Sequence, residues 1–432
     1  MLKPTLDISK LLLAVSSLNS LANPILNNHN YRVAFISYLI AREISYSNEF
    51  LYNILVAGLF HDIGLLMIHS RDDIASVSNL ELEEERRLHV HSEVGYQLLK
   101  KFPYFSKIAK IVKYHHYPYK ESLRKEVPYS SSIIHLADRI DVFIASKIKD
   151  ENPYSKISLF LPQLEDYLLR YKGKKLDPKL VDLFLKKVCP KEAFWYEILN
   201  RSCLEETLEK LLKNFENRLP TEAFYDFAQL LAYLIDFKSP FTATHSSGVA
   251  QTALTLANLF NFTYPDLRKM HIAGLLHDVG KIAIPSNILE KPDRLTEEEY
   301  NVMKSHVFFS YKIISKLEVE KDIVEWASYH HETLDGSGYP FKLGEEDLSL
   351  GSRIMAVADV FTALMEDRPY KKGLPIKKAM AIIDMLANKN KLDKNVVYVL
   401  KKNLEKVNTE RKQAQEKARK LYNSLRELAI SL

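Results

Sequence analysis

Cysteine is nearly absent: Cys189 and Cys203 are the two thiols in 432 residues. They lack C-x-x-C spacing, which argues against a disulfide framework or a thiolate zinc site and fits a reducing, cytoplasmic setting. Glycine is scarce too, at 12 residues, while Leu, Ile, Lys, Glu and Ala recur at helical spacing. An all-α protein with almost no sheet is expected. Long apolar runs are missing as well. Leu11-Leu12-Leu13-Ala14-Val15 is broken by Ser16-Ser17, too short to span a bilayer, and reads as part of an amphipathic helix. No membrane insertion is expected. The net charge of +5 supplies no general affinity for a nucleic acid polymer, though it would not repel a small anion.

What is present is a repeat. The first half carries His29, His61-Asp62, His91, His115-His116 and Asp138; the second carries His245, His277-Asp278, His306, His330-His331 and Asp359. The second set follows the first by 216 residues at the first two positions, 215 at the next two and 221 at the last aspartate. Tyr96 and Tyr311 keep this register, as do Leu176-Asp177 and Leu392-Asp393. Such self-similarity marks an internal duplication. The jump to 221 places an extra loop in the second copy, between its His pair and its Asp.

The expected organisation is a first lobe over 1–190, a helical connector over 191–219, a second lobe over 220–406 and a basic C-terminal helix over 407–432. Leu204, Leu208, Leu211 and Leu212 give the connector its helical period. Thr296 with Glu299 forms a capping box opening the helix of His306, and Pro285 is expected to stop the helix that carries His277-Asp278. The Lys- and Arg-rich stretch after Asn408 reads as a solvated helix, with a coiled-coil or partner-binding role, including self-association, as the alternative.

Ten of the chain's 14 histidines fall in the matched sets, too many for satisfied core imidazoles. Five imidazoles and two carboxylates exceed one four-coordinate zinc but suit two adjacent octahedral ions with a bridging carboxylate. Ligation by His and Asp without thiolate favours iron or manganese. Paired ions at roughly 3.5–4 Å are standard machinery of phosphoester hydrolysis, since one activates water and both stabilise charge on phosphate oxygens. A di-iron oxygenase would carry Glu-x-x-His pairs, which are not duplicated here.

The second lobe resembles the HD-GYP domains of the HD phosphohydrolase superfamily. His277-Asp278-Val279-Gly280-Lys281 matches HD-x-GK, and His330 to Pro340 matches HHExxDGxGYP at every fixed position. Arg353-Ile354, Ala358-Asp359 and Arg368-Pro369-Tyr370 also follow the family pattern, so the match covers about 220–405. The first lobe resembles a plain HD domain. The resemblance implies two tandem helical HD-type domains and hydrolysis of cyclic di-GMP to pGpG, GMP or both. It assigns His245, His277, Asp278, His306, His330, His331 and Asp359 as ligands of two divalent ions, with Asp278 bridging. It gives Lys281 the scissile phosphate, and Gly338, Tyr339, Arg368 and Lys371 the dinucleotide.

Departures from the pattern set further expectations. Where the family often has an aspartate six residues before the first ligand, this chain has Ser239; Phe241 stands where members with three metals have glutamate. Two ions are therefore expected. Thr362 replaces an acid three residues after the last ligand, which puts groups supporting the site in question. A cyclic dinucleotide receptor with little turnover is the alternative, as is a phosphohydrolase for another nucleotide. The first lobe keeps all seven ligand positions, His29, His61, Asp62, His91, His115, His116 and Asp138, but has Leu65 for Lys281 and Tyr117-Pro118-Tyr119-Lys120 for the Gly-Tyr-Pro loop. It is expected to bind metal in a structural or regulatory role, with an independent phosphohydrolase for another substrate, or an empty site, as the alternatives.

Overall fold

Helix starts repeat along the chain with the same period as the histidines. Ser47 accepts a hydrogen bond from the Phe50 N–H and opens the helix Asn48–Phe60; Thr263, 216 residues on, accepts from Asp266 and opens Tyr264–Leu276. Asp177 caps Lys179 and Leu180, and Asp393 caps Asn395 and Val396 in the same way. Each cap satisfies N–H groups that a helix start leaves without an intrahelical partner. The duplication thus reaches the local signals that decide where helices begin.

The computed structural model describes residues 6–7, 9, 12–13, 28–45, 47–67, 85–123, 126–147, 153–215, 218–219, 221–237, 244–366 and 372–431. They are overwhelmingly helical, with strand limited to two-residue pieces at Leu6–Asp7 and Arg218–Leu219. The chain forms two compact units: Asp7–Leu219 with Leu425–Leu432, and Pro220–Ser424 with Met1–Leu6. No described helix is long and apolar enough to cross a membrane.

Each unit is built on one close helix pair. In the first, His29–Arg42 packs on Asn48–Phe60. A Cβ on Gly58 would lie 2.5 Å from the Ala34 Cα. In the second, His245–Leu259 packs on Tyr264–Leu276, and a Cβ on Gly274 would meet the Ala250 Cα at the same 2.5 Å. A methyl group at either glycine would overpack the contact, typically at a cost of about 1–3 kcal/mol. This closeness brings the first histidine of each set beside the His-Asp pair at the end of the neighbouring helix.

Three expectations are refined. The connector is the helix Arg201–Lys213, whose Leu204, Leu208 and Leu212 are fully buried and which packs on His29–Arg42 within the first unit. The helix before Asp278 ends at Leu276, well ahead of Pro285, and a 3-10 turn, Val279–Ala283, follows. The C-terminal helix, Leu404–Ser431, is not simply solvated: Val407, Arg411, Gln415, Ala418, Tyr422 and Leu425 are buried. Their spacing of three and four residues makes one continuous stripe. Of the expected N-terminal helix, Leu12 and Leu13 are described and buried, and the rest lies outside the described residues.

Candidate metal centres

In the second unit, five elements bring the candidate ligands together: His245 starts one helix, His277 and Asp278 directly follow the end of another at Leu276, His306 lies within Glu297–Lys316, and Asp359 within Leu350–Met365. His330 and His331 follow the short helix Lys321–Ser328. The capping box of Thr296 and Glu299 at the start of the His306 helix is present as expected.

Asp278 is the hub. Its Oδ2 lies 3.6 Å from His245 Nε2 and 3.2 Å from His277 Nε2; its Oδ1 lies 3.2 Å from His306 Nε2 and 4.0 Å from His330 Nε2. Asp359 completes each side, with Oδ1 3.2 Å from His245 Nε2 and Oδ2 3.7 Å from His331 Nδ1. The two carboxylate oxygens of Asp278 therefore face two separate nitrogen clusters, as a bridging ligand must.

The imidazole tautomers are fixed from behind. The Nδ1–H of His277 donates to the Gly274 carbonyl at 2.8 Å, that of His306 to Met303 at 2.6 Å and that of His330 to Ala327 at 2.7 Å. Their Nε2 lone pairs point inward. His277 Nε2, His306 Nε2, His330 Nε2 and Asp278 Oδ1 are buried without a hydrogen-bond partner. Several orphaned acceptors in one dry volume are costly unless a cation sits among them. The residues fit a pair of divalent ions.

Charge in the site follows from burial and neighbours. Burial, together with His331 and His277, holds His330 well below the usual imidazole range, and burial lowers His331 to about 4. Both imidazoles stay neutral at neutral pH, as metal ligation requires. For Asp278, burial opposes ionisation but is outweighed by His277, Lys281 and His306, so its carboxyl is held well below the usual range. His245 goes the other way. Burial would lower it, yet the hydrogen bonds it donates to Asp359 and Glu366 raise it to about 10, a proton that a bound cation would displace.

The site opens to solvent at one corner. The His331 side chain is 29% exposed, against 8% or less for the other ligands in these ion pairs. Tyr339 lies tilted against it with ring centroids 4.9 Å apart. Lys281 is half-buried and ion-paired with Asp278. The loop carrying Tyr339 is held by buried Glu332, which accepts from the N–H groups of Phe341 and Leu343. Phe341 adds an aromatic anchor among Tyr311, Tyr329 and Phe308. Gly338 is required, because a Cβ there would lie 2.5 Å from the Glu332 Cα. Arg368 and Lys371, along with Ser239 and Phe241, lie outside the described residues.

The first unit repeats the ligand arrangement. Asp62 Oδ2 faces His29 and His61 at 3.5 and 3.4 Å, while Oδ1 faces His91 and His115 at 3.1 and 3.8 Å. Asp138 Oδ1 lies 3.4 Å from His29 Nε2, and its Oδ2 lies 3.7 Å from His116 Nδ1. Both Asp62 oxygens and Asp138 Oδ1 lack hydrogen-bond partners. The surroundings differ, however. Leu65 is buried, the His116 side chain is 1% exposed, and buried Arg139 donates to Asp138 Oδ2 at 2.7 Å.

Sequence reasoning missed Glu366 and Gln415. Glu366 accepts from His245 Nδ1 at 3.0 Å and from the Thr244 hydroxyl at 2.8 Å, and Gln415 donates to it at 3.0 Å. The signal was spacing: Asp359, Thr362 and Glu366 stand at i, i+3 and i+7, one helix face carried one turn further.

Two HD domain family models match the chain, one over residues 27–142 and the other over 229–396. The chain is 31% identical over 385 residues to 3'3'-cGAMP-specific phosphodiesterase 1 of Vibrio cholerae, covering 87% of each chain. It is 40% identical over 134 residues to a cyclic di-GMP phosphodiesterase of Pseudomonas aeruginosa, 31% of this chain and 32% of that one. A crystal structure of a cyclic GMP-AMP phosphodiesterase of V. cholerae shares the fold, with TM-score 0.62 and 21% identity over 93% of this chain and 98% of that one. The chain belongs to the HD-domain family, as a tandem pair related to the HD-GYP phosphodiesterases.

Proposed function

We propose that the second lobe is a metal-dependent phosphodiesterase for a cyclic dinucleotide, with cyclic di-GMP hydrolysed to pGpG, GMP or both. The observation that carries this reading is the convergence of orphaned ring nitrogens on both oxygens of Asp278 at a site open at one corner. His245, His277, Asp278 and Asp359 would hold one ion; His306, His330, His331 and Asp278 the other. Iron or manganese suits these ligands. When bound, the ions supply Lewis acidity to the phosphate oxygens and lower the pKa of a water nucleophile.

The chain's own groups do the rest. Lys281, a flexible ammonium at the mouth, leaves Asp278 for the scissile phosphate and balances charge as the bond breaks. Tyr339 offers its ring beside His331 for a base or ribose, and Arg368 and Lys371 hold phosphates or guanine edges. The closed first lobe takes a structural or regulatory part, with its own ligands His29, His61, Asp62, His91, His115, His116 and Asp138 holding metal.

A second reading changes one base of the substrate. The relative matched over 87% of both chains is specific for 3'3'-cGAMP. That ligand presents the same two phosphates and differs in one purine, so the metal and Lys281 chemistry is unaltered. Purified protein loaded with Fe(II) or Mn(II) under reducing conditions, given each dinucleotide and assayed for linear and mononucleotide products, distinguishes the two. Tight binding with no linear product from either would replace the enzyme with a receptor.

A further inference from the structure

The first histidine of each lobe is oriented by a carboxylate, but not by the same one. In the first lobe, His29 Nδ1–H donates at 2.7 Å to Asp141, three residues beyond Asp138. Arg32, one turn along the His29 helix, pairs with that same carboxylate. By the repeat, Asp141 corresponds to Thr362 and Arg32 to Gly248. Both partners are therefore lost from the second lobe, and Thr362 faces Thr252 at 3.4 Å instead.

Glu366 fills the gap from the end of the helix, accepting from His245 Nδ1 with one oxygen. Its other oxygen accepts from Thr244 and from the Gln415 amide. Gln415 reaches it across Gly248, where a Cβ would lie 2.8 Å from the Gln415 Nε2. A residue larger than glycine would push that amide away. On the same helix, Arg411 donates to the Gln415 carbonyl oxygen and lies over the Phe361 ring.

The geometry points to Glu366, steadied by Gln415 of the C-terminal helix, as the positioning residue that sets metal affinity at His245. A histidine ligand needs its Nδ1 proton held so that the Nε2 lone pair faces the metal, and a carboxylate partner also raises its basicity. The inference rests on reading the second lobe as a metal centre but not on the substrate. It makes the terminal helix part of that centre and turns the loss of an acid at Thr362 into a relocation.

The test is Mn(II) affinity of the full chain, measured by chelator competition without nucleotide. Glu366→Gln keeps shape but leaves one acceptor where two N–H donors converge, so its N–H2 faces either the imidazole N–H or the Gln415 amide and the charge is lost; it is expected to weaken binding about 10- to 100-fold. Gln415→Ala should weaken it less, by about 3- to 10-fold, since it touches Glu366 and not the ligand. Adding Thr362→Asp to Glu366→Gln restores the carboxylate of the first lobe's arrangement, though not its arginine, and is expected to recover most of the loss. Affinity within twofold of wild type in Glu366→Gln overturns the proposal. So does a loss that Thr362→Asp fails to recover when the metal-free melting temperature has fallen too, because Glu366 would then be packing alone. Metal affinity that responds as expected while no dinucleotide is cleaved leaves the positioning role standing and removes the enzyme reading.

Discussion

The two lobes present the same seven ligand types in the same geometry and surround them differently. Around Asp62 the groups are buried: Leu65 is buried, Arg139 pairs with Asp138, and the His116 side chain is 1% exposed. Around Asp278 a lysine stands at the mouth, His331 is 29% exposed and a glycine-bearing loop brings Tyr339 alongside. Metal sites that support structure are closed, whereas those that catalyse keep a position open. On the proposed reading, the shared residues set what each lobe can hold and the rim sets which lobe can act.

The strongest way to break this comparison is to remove the hub of the open site. Asp278→Asn is expected to lower turnover of a cyclic dinucleotide by at least about 10³-fold and to release the metal of that lobe. Turnover within tenfold of wild type would place the chemistry elsewhere. Removing Lys281 asks about the rim alone. Lys281→Ala is expected to lower kcat by about 10²-fold with metal content unchanged, since the ammonium meets charge that develops during bond cleavage. A rise in KM with kcat intact would make it a binding residue only.

The loop difference is sharpened by Gly338→Ala. Its Cβ would lie 2.5 Å from the Glu332 Cα and 2.6 Å from the His331 carbonyl oxygen, so Tyr339 must shift. A rise in KM of about tenfold is expected, with metal content preserved. An unchanged KM would show that the loop does not set substrate contact.

The smallest effect concerns what the lobes share. Each holds an imidazole outside the candidate ligand set, His135 buried in the first and His271 half-buried in the second, and desolvation lowers both to about 4. A depressed histidine contributes stability above its unfolded pKa near 6.5, and that contribution is lost as pH falls through about 4. His271→Phe should therefore flatten the fall in unfolding free energy of metal-free protein between those values, by about 1–3 kcal/mol. An unaltered slope would assign the acid response to other groups.

Much of this was legible in the sequence because the informative signals were local or periodic. Paired histidines, the capping box at Thr296 and the 216-residue register each follow from residue type and spacing, and the helical connector from its leucines. The support around His245 was not. Glu366 reaches His245 across 121 residues and Gln415 reaches Glu366 across 49, contacts that depend on helix packing. The stripe holding Gln415 is one third polar, with Arg411 among its buried members, so a hydrophobic period is interrupted there and charge suggests a solvated face. The need for glycine at 248 likewise comes from a distant side chain, Gln415, which occupies the space of its Cβ.

The most direct measurement of the division between a closed centre and an open one is metal content and turnover measured together on Asp62→Asn. The expected result is a loss of about two ions per chain with turnover within about threefold of wild type. Turnover falling in parallel with the metal, or a metal content unchanged by the substitution, would contradict it.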